Sequence, residues 1–165
     1  MTAMPKLGAD VDAQTERQVA RFLTQYTRCL DEDRLEDWPS FFSGNGVYRA
    51  LSRENEALGL PAPLMYYYSR AMMEDRVTAL RDALTYEPVY TRHITSGLLI
   101  ERGDDVLISR SDFALYQSTE EGITRLFAVG AYQDTITQEN DRLAFIDRRV
   151  IVDTFGIQNL IATPL

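Results

Sequence analysis

The sequence predicts an α+β domain in which three N-terminal helices cover a strongly curved antiparallel sheet. The main observation comes from the C-terminal half, which contains four runs rich in Val, Ile, Leu, Phe and Thr. These runs are Arg92–Glu101, Val106–Ser118, Ile123–Thr137 and Leu143–Phe155. Short polar segments with turn-forming residues separate them, which indicates consecutive strands. The runs are about twice as long as an average strand, so we expect strong twist and curvature.

Apolar residues on both faces of these strands are the second observation. In Leu143–Phe155 one face carries Ala144, Ile146, Val150 and Val152, and the other carries Leu143, Phe145, Ile151 and Phe155. An antiparallel sheet with one face in water alternates apolar and polar residues. The pattern predicts that the chain's own helices cover one face and that a partner protein covers the other. A densely filled sheet in a single chain would produce the same pattern.

Length and composition are typical of a single cytoplasmic domain. The chain has 165 residues, of which 45% are hydrophobic and 25% are charged, as in ordinary globular proteins. No apolar run is long enough for a membrane span, and Met1–Lys6 lacks the apolar centre of a signal peptide. Cys29 is the single cysteine, which excludes an internal disulfide and fits a reducing compartment.

The net charge of −8 argues against a nucleic-acid partner. Binding DNA or RNA requires a basic patch that displaces the counterions of the phosphates. The basic residues are instead scattered along the chain, and Arg148-Arg149 is their one adjacent pair. Alternation along a strand sends these two side chains to opposite faces of the sheet.

The first predicted helix follows an arm without periodicity, Met1–Val11, which we expect to be flexible. Residues 12–165 then form a single domain. The helix covers Ala13–Asp31 and is capped by Asp12 or Thr15. Val19, Phe22, Leu23, Tyr26 and Leu30 recur at helical spacing and form its apolar stripe. Cys29 lies beside this stripe, as a small buried hydrophobe would.

Two further helices and two short strands are predicted before residue 88. The second helix begins near Asp37, because Pro39 fits only a first turn, and its apolar side is Leu35, Trp38, Phe41 and Phe42. The third helix, Arg70–Leu84, is capped by Ser69 and buries Met73, Val77, Leu80 and Leu84. Between these helices we expect a turn at Ser43–Gly46, a strand at Val47–Leu51, a polar loop at Ser52–Pro63 and a strand at Leu64–Tyr68.

Several kinds of catalytic site are excluded by the residues that the chain lacks. His93 is the single histidine and Cys29 the single cysteine. A mononuclear non-haem iron site typically uses two histidines and one carboxylate as ligands, and a Rieske cluster requires two histidines and two cysteines. The chain cannot supply either set alone. It also contains no glycine-rich phosphate loop and no Gly-x-Ser-x-Gly nucleophile elbow.

The remaining candidates for acid–base chemistry are His93 and four aspartates within the predicted strands. His93 would need a carboxylate or hydroxyl partner and a cavity to act as a base; its position at the start of a strand favours a structural or interface histidine instead. Asp112, Asp134, Asp147 and Asp153 are the aspartates. One of them facing an apolar cavity would have a raised pKa and could abstract a proton. Pairing with Arg110, Arg125, Arg148 or Arg149 on neighbouring strands is the structural alternative.

Three motifs resemble the small, beta subunits of Rieske-type aromatic ring-hydroxylating dioxygenases. The first is Cys29–Trp38, followed by Phe41-Phe42 and Val47-Tyr48; the second is Glu74–Val77 with Thr91–Ser96; the third is Arg148–Asp153 with Asn159-Leu160. Together they extend from Ala20 to Leu165, in order and with matching spacing. Two residues depart from the pattern: Pro39, within the second predicted helix, and Gly97, where the family commonly has Asn near the Ser.

The resemblance implies a cone-like fold, shared with ketosteroid isomerase and scytalone dehydratase. It also implies a hetero-hexamer in which a trimer of beta chains carries three alpha subunits. The alpha subunit holds the Rieske [2Fe-2S] cluster and the mononuclear iron, so the beta chain would be structural and hold no cofactor. The complex would oxidise an aromatic ring, such as an aromatic carboxylate, with O₂ and electrons from NADH. The candidate intersubunit residues are Arg92, His93, Arg148, Arg149 and Asp153.

Two other functions remain compatible with the sequence. A stand-alone cone-fold isomerase or dehydratase would use an aspartate base and tyrosine donors such as Tyr26, Tyr48 or Tyr132. A small binding module without chemistry is the third hypothesis. An open apolar cavity with convergent polar groups favours the enzyme, whereas an interior filled by Phe22, Trp38, Phe41 and Phe42 favours the subunit.

Overall fold

The computed structural model describes residues 9–60, 62–82, 89–153 and 163–165. Its helices are α1 (Ala13–Asp31), α2 (Arg53–Leu58) and α3 (Arg70–Asp82), with a 3-10 helix at Trp38–Phe41. Its strands are β1 (Ala9–Asp10), β2 (Phe42–Ser52), β3 (Met65–Tyr67), β4 (Val89–Arg102), β5 (Leu107–Thr119), β6 (Thr124–Glu139) and β7 (Arg142–Val152). The α+β class predicted from the sequence is confirmed.

All seven strands belong to one sheet in the order β1-β4-β5-β6-β7-β2-β3. The four long strands β4 to β7 form the predicted antiparallel meander. The sheet also contains one parallel pair that the sequence did not predict, between β2 and β7. Parallel pairing needs a long connection, and everything from α2 to β6 lies between these two strands in the chain.

The turns of the meander explain why its strand boundaries were predictable. Asn140 and Asp141 have φ angles of 48° and 62° and connect β6 to β7. Asn and Asp tolerate this left-handed conformation better than other non-glycine residues. Gly122, with φ of 84°, ends the turn between β5 and β6 and donates its N–H to the Thr119 carbonyl. The predicted last strand extended to Phe155, which lies outside the described residues.

Helix α1 has the predicted bounds, Ala13–Asp31. Asp12 is the cap: its Oδ1 accepts hydrogen bonds from the backbone N–H groups of Gln14 and Thr15, both at 2.9 Å. Thr15 supports the cap by donating its hydroxyl to Asp12 Oδ2. The face that α1 buries is Val19, Phe22, Tyr26, Cys29 and Leu30. The periodicity of the sequence therefore identified both the helix and the side that meets the sheet.

The predicted N-terminal arm is shorter than Met1–Val11. Ala9 and Asp10 pair antiparallel with Arg102 and Glu101 at the end of β4, so the sheet begins within the predicted arm. Two residues carry no periodic signal, and only the sheet edge beside them makes them a strand. Residues 1–8 lie outside the described part of the chain.

Two predicted irregular segments are ordered elements in the structure. Ser43–Gly46, predicted as a turn, lies within β2, where a bulge interrupts the pairing with β7 between Phe42 and Val47. The loop predicted at Ser52–Pro63 contains α2, which Ser52 caps by accepting the Asn55 N–H at 3.2 Å. Both predictions were wrong, because a bulge and a six-residue helix are too short for hydrophobic periodicity to reveal.

The remaining helical predictions are largely confirmed. The second helix is a single 3-10 turn, Trp38–Phe41, with Pro39 in its first turn, as the fixed φ of proline requires. Ser69 Oγ accepts the Met72 N–H and caps α3. Helix α3 buries Met73, Val77 and Leu80; the predicted Leu84 lies outside the described residues.

The core lies between the helices and one face of the curved sheet. An aromatic cluster dominates it, in which the rings of Phe22, Tyr26, Trp38, Phe41, Phe42, Tyr48, Tyr67 and Phe145 contact one another, mostly edge to face. Edge-to-face contacts place the positive ring edge against the negative ring face. Within the described part of the chain, no helix combines the length and apolar character needed to cross a lipid bilayer.

Gly130 in β6 provides a test of the β5–β6–β7 packing. A β-carbon there would overlap the carbonyl oxygen of Ile151 and press on the Phe113 ring. We expect Gly130→Ala to lower the free energy of unfolding by about 1–3 kcal/mol, the usual cost of overpacking, as measured by urea denaturation. Gly44→Ala is the matched control, because a β-carbon at Gly44 has open space around it. Equal stabilities of the two variants would contradict this packing.

Candidate functional site

A row of polar residues crosses the inner face of the sheet, beneath α1. In the register of β5, β6 and β7, Ser109 pairs with Asp134 and Asp134 with Arg148. Arg148 Nη1 donates to Asp134 Oδ2 at 2.8 Å, and the side chains are only 1% and 0% exposed. Ser109 Oγ lies 3.4 Å from the same carboxylate oxygen. The register of the three strands therefore places a buried ion pair, Asp134 with Arg148, beside a serine hydroxyl.

Aromatic rings enclose the guanidinium of Arg148. Its Cζ lies 4.1 Å from the ring centroid of Tyr26 and 3.9 Å from that of Tyr132, with Phe145 at 4.8 Å. A cation over a ring face is attracted by the ring quadrupole, and most strongly where water is excluded. Tyr26 belongs to α1, whereas Tyr132 and Phe145 belong to β6 and β7. Arg148 therefore joins the helix to the sheet.

Burial dominates the electrostatics of this row. Desolvation raises the pKa of Asp134 to about 6, because the loss of hydration outweighs the attraction of Arg148 and the hydrogen bond from Ser109. Burial likewise raises the pKa of Tyr26 to about 12 and that of Tyr132 above its ordinary value. Asp134 therefore combines both alternatives that were open for the strand aspartates. Its pKa is raised by burial, and its carboxylate is paired with an arginine of the neighbouring strand, Arg148.

The other three candidate aspartates differ from Asp134. Asp147 pairs with Arg49 at 2.8 Å and Asp153 pairs with Arg53 at 2.8 Å, so their partners are arginines that the sequence analysis did not name. Those arginines lie in β2 and α2, and only the parallel β2–β7 pairing brings them close. Asp112 is exposed on β5, beside Gly97.

Two of the three candidate tyrosine donors are engaged in structural hydrogen bonds. Trp38 Nε1 donates to Tyr26 Oη at 3.1 Å. Tyr48 Oη accepts the N–H of Leu165 at 2.8 Å, which ties the end of the chain to β2. The buried Tyr132 hydroxyl has no acceptor for its O–H among the described residues. Phe22, Trp38 and Phe42 are buried, as expected for an interior filled by its own aromatic residues.

His93 and Asp31 form a second buried pair, at the junction of β4 with the end of α1. His93 Nδ1 lies 2.6 Å from Asp31 Oδ1, and the His93 backbone N–H donates to both carboxylate oxygens. The side chains are 1% and 4% exposed. Burial raises the pKa of Asp31, but the hydrogen bonds from His93 outweigh it, so the net shift is downward. The carboxylate partner that His93 would need exists, and its ring is enclosed by the chain itself.

The structure separates the five candidate intersubunit residues into two groups. Arg148 and His93 are buried within this chain, so their side chains are not available on its surface. Arg92 is exposed on β4. Arg149 and Asp153 are partly exposed and pair with Glu56 and Arg53 of α2. Arg148 and Arg149 were predicted to point to opposite faces of the sheet, and the structure confirms this: Arg148 is buried and Arg149 is partly exposed.

An outer patch of apolar and aromatic residues lies on the face of the sheet opposite α1. It consists of Tyr90, Arg92, Ile94, Tyr116 and Leu126, whose apolar members are 68%, 55%, 39% and 53% exposed in chain order. Arg92 is in register with Tyr116, and Tyr116 with Leu126, so three strands contribute. The sequence signal for this patch was the apolar character of both strand faces. The prediction that the chain's helices cover one face is confirmed.

Within the described residues, no group of three or more His, Cys, Asp or Glu side chains is arranged to hold a metal ion. Cys29 is buried, and its Sγ lies 2.9 Å from the Arg34 carbonyl oxygen. Burial raises the pKa of this thiol to about 11, so it remains protonated at neutral pH.

Comparison with known proteins agrees with the motifs of the sequence. Residues 25–159 match the family model of the ring-hydroxylating beta subunit. The chain is 35% identical to the small subunit of anthranilate 1,2-dioxygenase from Burkholderia cepacia, over 93% of this chain and 96% of that protein. It is also 35% identical to a beta subunit of terephthalate 1,2-dioxygenase from a Comamonas species, over 91% and 98%.

A solved structure shows the same fold. It is that of a beta subunit assigned to an aromatic-ring-hydroxylating dioxygenase of Novosphingobium aromaticivorans. The TM-score is 0.83 with 34% identity, and the match covers 93% of this chain and 99% of that one. The family model, the curated relatives and the structure all confirm the resemblance and the cone-like fold. The chain therefore belongs to the family of beta subunits of aromatic ring-hydroxylating dioxygenases.

Proposed function

We propose that this chain is a non-catalytic assembly subunit, which forms a trimer and carries three alpha subunits of an aromatic ring-hydroxylating dioxygenase. The observation that carries the non-catalytic role is the occupied interior of the cone. Arg148 fills its centre between Tyr26 and Tyr132, and Trp38 and Phe42 are fully buried beside them. The position where a cone-fold enzyme would bind its substrate is thus largely occupied by packing.

The proposal places the Rieske [2Fe-2S] cluster and the mononuclear iron in the alpha subunit. This chain does not fit either group, since its whole sequence contains one histidine and one cysteine. Both are also committed to other contacts: His93 to Asp31 and Cys29 to the Arg34 carbonyl. Oxidation with O₂ and electrons from NADH would then take place entirely outside this chain, whose task is to hold the alpha subunits in place.

The substrate of the complex is proposed to be an aromatic carboxylate. Two relatives that the chain matches over more than nine-tenths of its length are named for anthranilate and terephthalate. Both names describe benzene rings that carry carboxylates.

The outer patch is the surface proposed to contact the other subunits. Stable subunit interfaces have apolar cores enriched in tyrosine and arginine, and the outer patch contains two tyrosines, one arginine, an isoleucine and a leucine. Large exposed apolar patches are unusual on soluble monomers and mark interaction sites. Arg149 and Asp153 are not included in the proposed contact surface, because each already forms an ion pair with a residue of α2 in the same chain.

A stand-alone isomerase or dehydratase is the second candidate, and the raised pKa of Asp134 is the observation in its favour. A carboxyl group with a pKa of about 6 suits a general base. Asp134 Oδ2, however, already accepts a hydrogen bond from Arg148, which stabilises the carboxylate and weakens it as a base. A steroid or naphthol substrate turned over by the purified chain alone would support this second candidate.

Assembly is tested by a charge placed in the outer patch. We expect the chain to form a trimer by light scattering, and a complex of equal stoichiometry when co-expressed with its alpha subunit. Ile94→Asp should prevent assembly, because it buries an unpaired carboxylate in the contact. Leu58→Asp is the control, since Leu58 is 64% exposed on α2, outside the patch. Full assembly of the Ile94 variant would exclude the patch as the interface.

The non-catalytic role is tested at His93 in the assembled complex. His93→Ala should leave the iron content unchanged and keep turnover per alpha subunit within about twofold, whereas loss of a general acid–base group costs at least ~10²-fold. Its effect should be a loss of stability of about 1–3 kcal/mol, because the Asp31 carboxylate loses a buried donor. A large fall in turnover with intact iron and assembly would give His93 a part in the reaction.

The lowered pKa of Asp31 predicts how the stability depends on pH. Because its carboxyl is more acidic in the folded chain than its ordinary 3.8, folding favours the deprotonated form. The stabilisation is present above that value and is lost as the pH falls through the folded pKa. Asp31→Asn should therefore cost about 1.5–3 kcal/mol at pH 7 and progressively less below pH 3.8.

Urea denaturation at several pH values measures this difference between the Asp31 variant and the parent chain. Taking the difference removes the contribution of Asp134, whose raised pKa acts in the opposite direction. The contribution of Asp134 to the free energy of unfolding falls as the pH rises from its ordinary pKa of 3.8 toward its folded pKa of about 6. Asp104→Asn, in the exposed turn between β4 and β5, is the control. A cost for the Asp31 variant that does not change with pH would contradict the prediction.

A further inference from the structure

One pocket opens between α1 and the bulge of β4 and ends at the buried ion pair. Its volume is about 190 Å³, and its lining includes Leu23 and Thr27 of α1, Leu98 of β4, and Ser111, Tyr132 and Arg148 of the inner sheet face. The bulge lies between Ser96 and Leu99. Gly97 within it has φ of 64°, a conformation that glycine and asparagine both adopt.

The deep end of this pocket contains polar groups that the described residues leave unsatisfied. Arg148 Nε is buried and has no partner among those residues. The buried Tyr132 hydroxyl has the Arg148 guanidinium, itself a donor, beside it, so the tyrosine O–H has no acceptor there. Tyr132 is 2% exposed and Arg148 is 1% exposed. Buried polar groups in folded proteins are nearly always paired. Two unpaired donors on side chains that line one pocket therefore point to an acceptor bound there.

The charged group of the lining lies at the floor, whereas the mouth combines the apolar side chains of Leu23 and Leu98 with the exposed polar residues Thr24, Thr95 and Ser96. Arg148 is the one charged side chain in the described lining, and it lies at the floor with Tyr132 and Ser111. Leu23 and Leu98 are partly exposed nearer the mouth. The hydroxyl of Thr27 already donates to α1 carbonyls. This arrangement fits a molecule with an anionic end that enters first and an apolar body that follows.

The volume decides how large that body can be. A cavity of about 150 Å³ accommodates one benzene ring, so about 190 Å³ leaves room for a ring with one small substituent. One or two water molecules, each with a share of about 30 Å³ in the liquid, would satisfy the donors but leave the apolar side chains of Leu23 and Leu98 in contact with solvent.

We propose that this pocket binds a monocyclic aromatic carboxylate on the beta chain itself. The carboxylate accepts hydrogen bonds from the Tyr132 hydroxyl and the Arg148 guanidinium, and the ring lies between Leu23 and Leu98. Arg148 Nη1 keeps its bond to Asp134, so the ligand uses donors that the ion pair leaves free. This site is separate from the iron centres of the alpha subunit, and the inference does not rest on the proposed assembly function.

Benzoate binding to the purified full-length chain, without the alpha subunit, tests the proposal. Methyl resonances of labelled leucines report the site: Leu23 and Leu98 should shift saturably, and exposed Leu58 should not. Nine non-hydrogen atoms, at a ligand efficiency between that of drug-sized molecules and that of the best small ligands, give a dissociation constant on the order of 1 mM. Benzamide and acetate are the probe controls, because the first lacks the charge and the second lacks the ring; both should bind at least about tenfold more weakly.

Tyr132→Phe removes one hydroxyl and should weaken benzoate binding about tenfold, the usual scale for a hydrogen bond to a charged group. A merely structural tyrosine would give no such change in affinity. Tyr116→Phe, on the opposite face of the sheet, is the matched control and should bind as the parent chain does. Leu23→Trp fills the mouth of the pocket and should abolish benzoate binding. This second variant tests the site independently if the Tyr132 variant does not fold.

Three results would overturn the proposal. The first is no saturable shift of Leu23 or Leu98 below about 5 mM benzoate, which would leave the pocket to water. The second is equal affinity for benzoate and benzamide, because recognition would then not involve the carboxylate. The third is unchanged affinity in both the Tyr132 and the Leu23 variants, because binding would then lie elsewhere on the chain.

Discussion

The structure depends on the buried ion pair between Arg148 and Asp134. Removing two charges from water is expensive, and only good geometry with further contacts compensates for it. Here the 2.8 Å hydrogen bond and the two tyrosine faces over the guanidinium offset part of that cost, and the remainder is seen in the raised pKa of Asp134. A slip of β7 by one residue against β6 would turn Arg148 to the outer face and leave Asp134 buried without its partner. The pair therefore makes one strand register much more favourable than its neighbours.

The same pair determines how the helices sit on the sheet. Tyr26 of α1 covers one face of the guanidinium, and its hydroxyl accepts the Trp38 N–H from the 3-10 helix. The ring cluster then extends from Trp38 to Tyr48, whose hydroxyl accepts the Leu165 N–H at the end of the chain. These aromatic side chains fill most of the space between the helices and the inner face of the sheet. The space that remains beside Arg148 is the small pocket of about 190 Å³.

This distribution of polar and apolar groups gives the two faces of the sheet different tasks. The inner face stabilises the chain through the ion pair, the aromatic cluster and the His93–Asp31 pair. The outer face carries Ile94, Tyr116 and Leu126 exposed to solvent, and exposed apolar patches of this kind commonly mark contacts with another protein. The proposed assembly function and the proposed ligand pocket therefore concern opposite faces, and variants can separate them.

The sequence by itself determined the features that arise from local pattern. Periodicity and capping residues identified α1 to its ends, and turn residues identified the four long strands. The single histidine and single cysteine showed that this chain alone has too few ligands for a Rieske cluster or for a site of two histidines and a carboxylate. The tertiary structure decided what depends on residues far apart in the chain. Parallel pairing of β2 with β7 brings Arg49 to Asp147 across 98 residues, and register across three strands turns Arg148, a candidate surface residue, into the centre of the core. No local pattern encodes these contacts, because a strand's sequence shows which residues share a face but not which neighbour, direction or register will bury them.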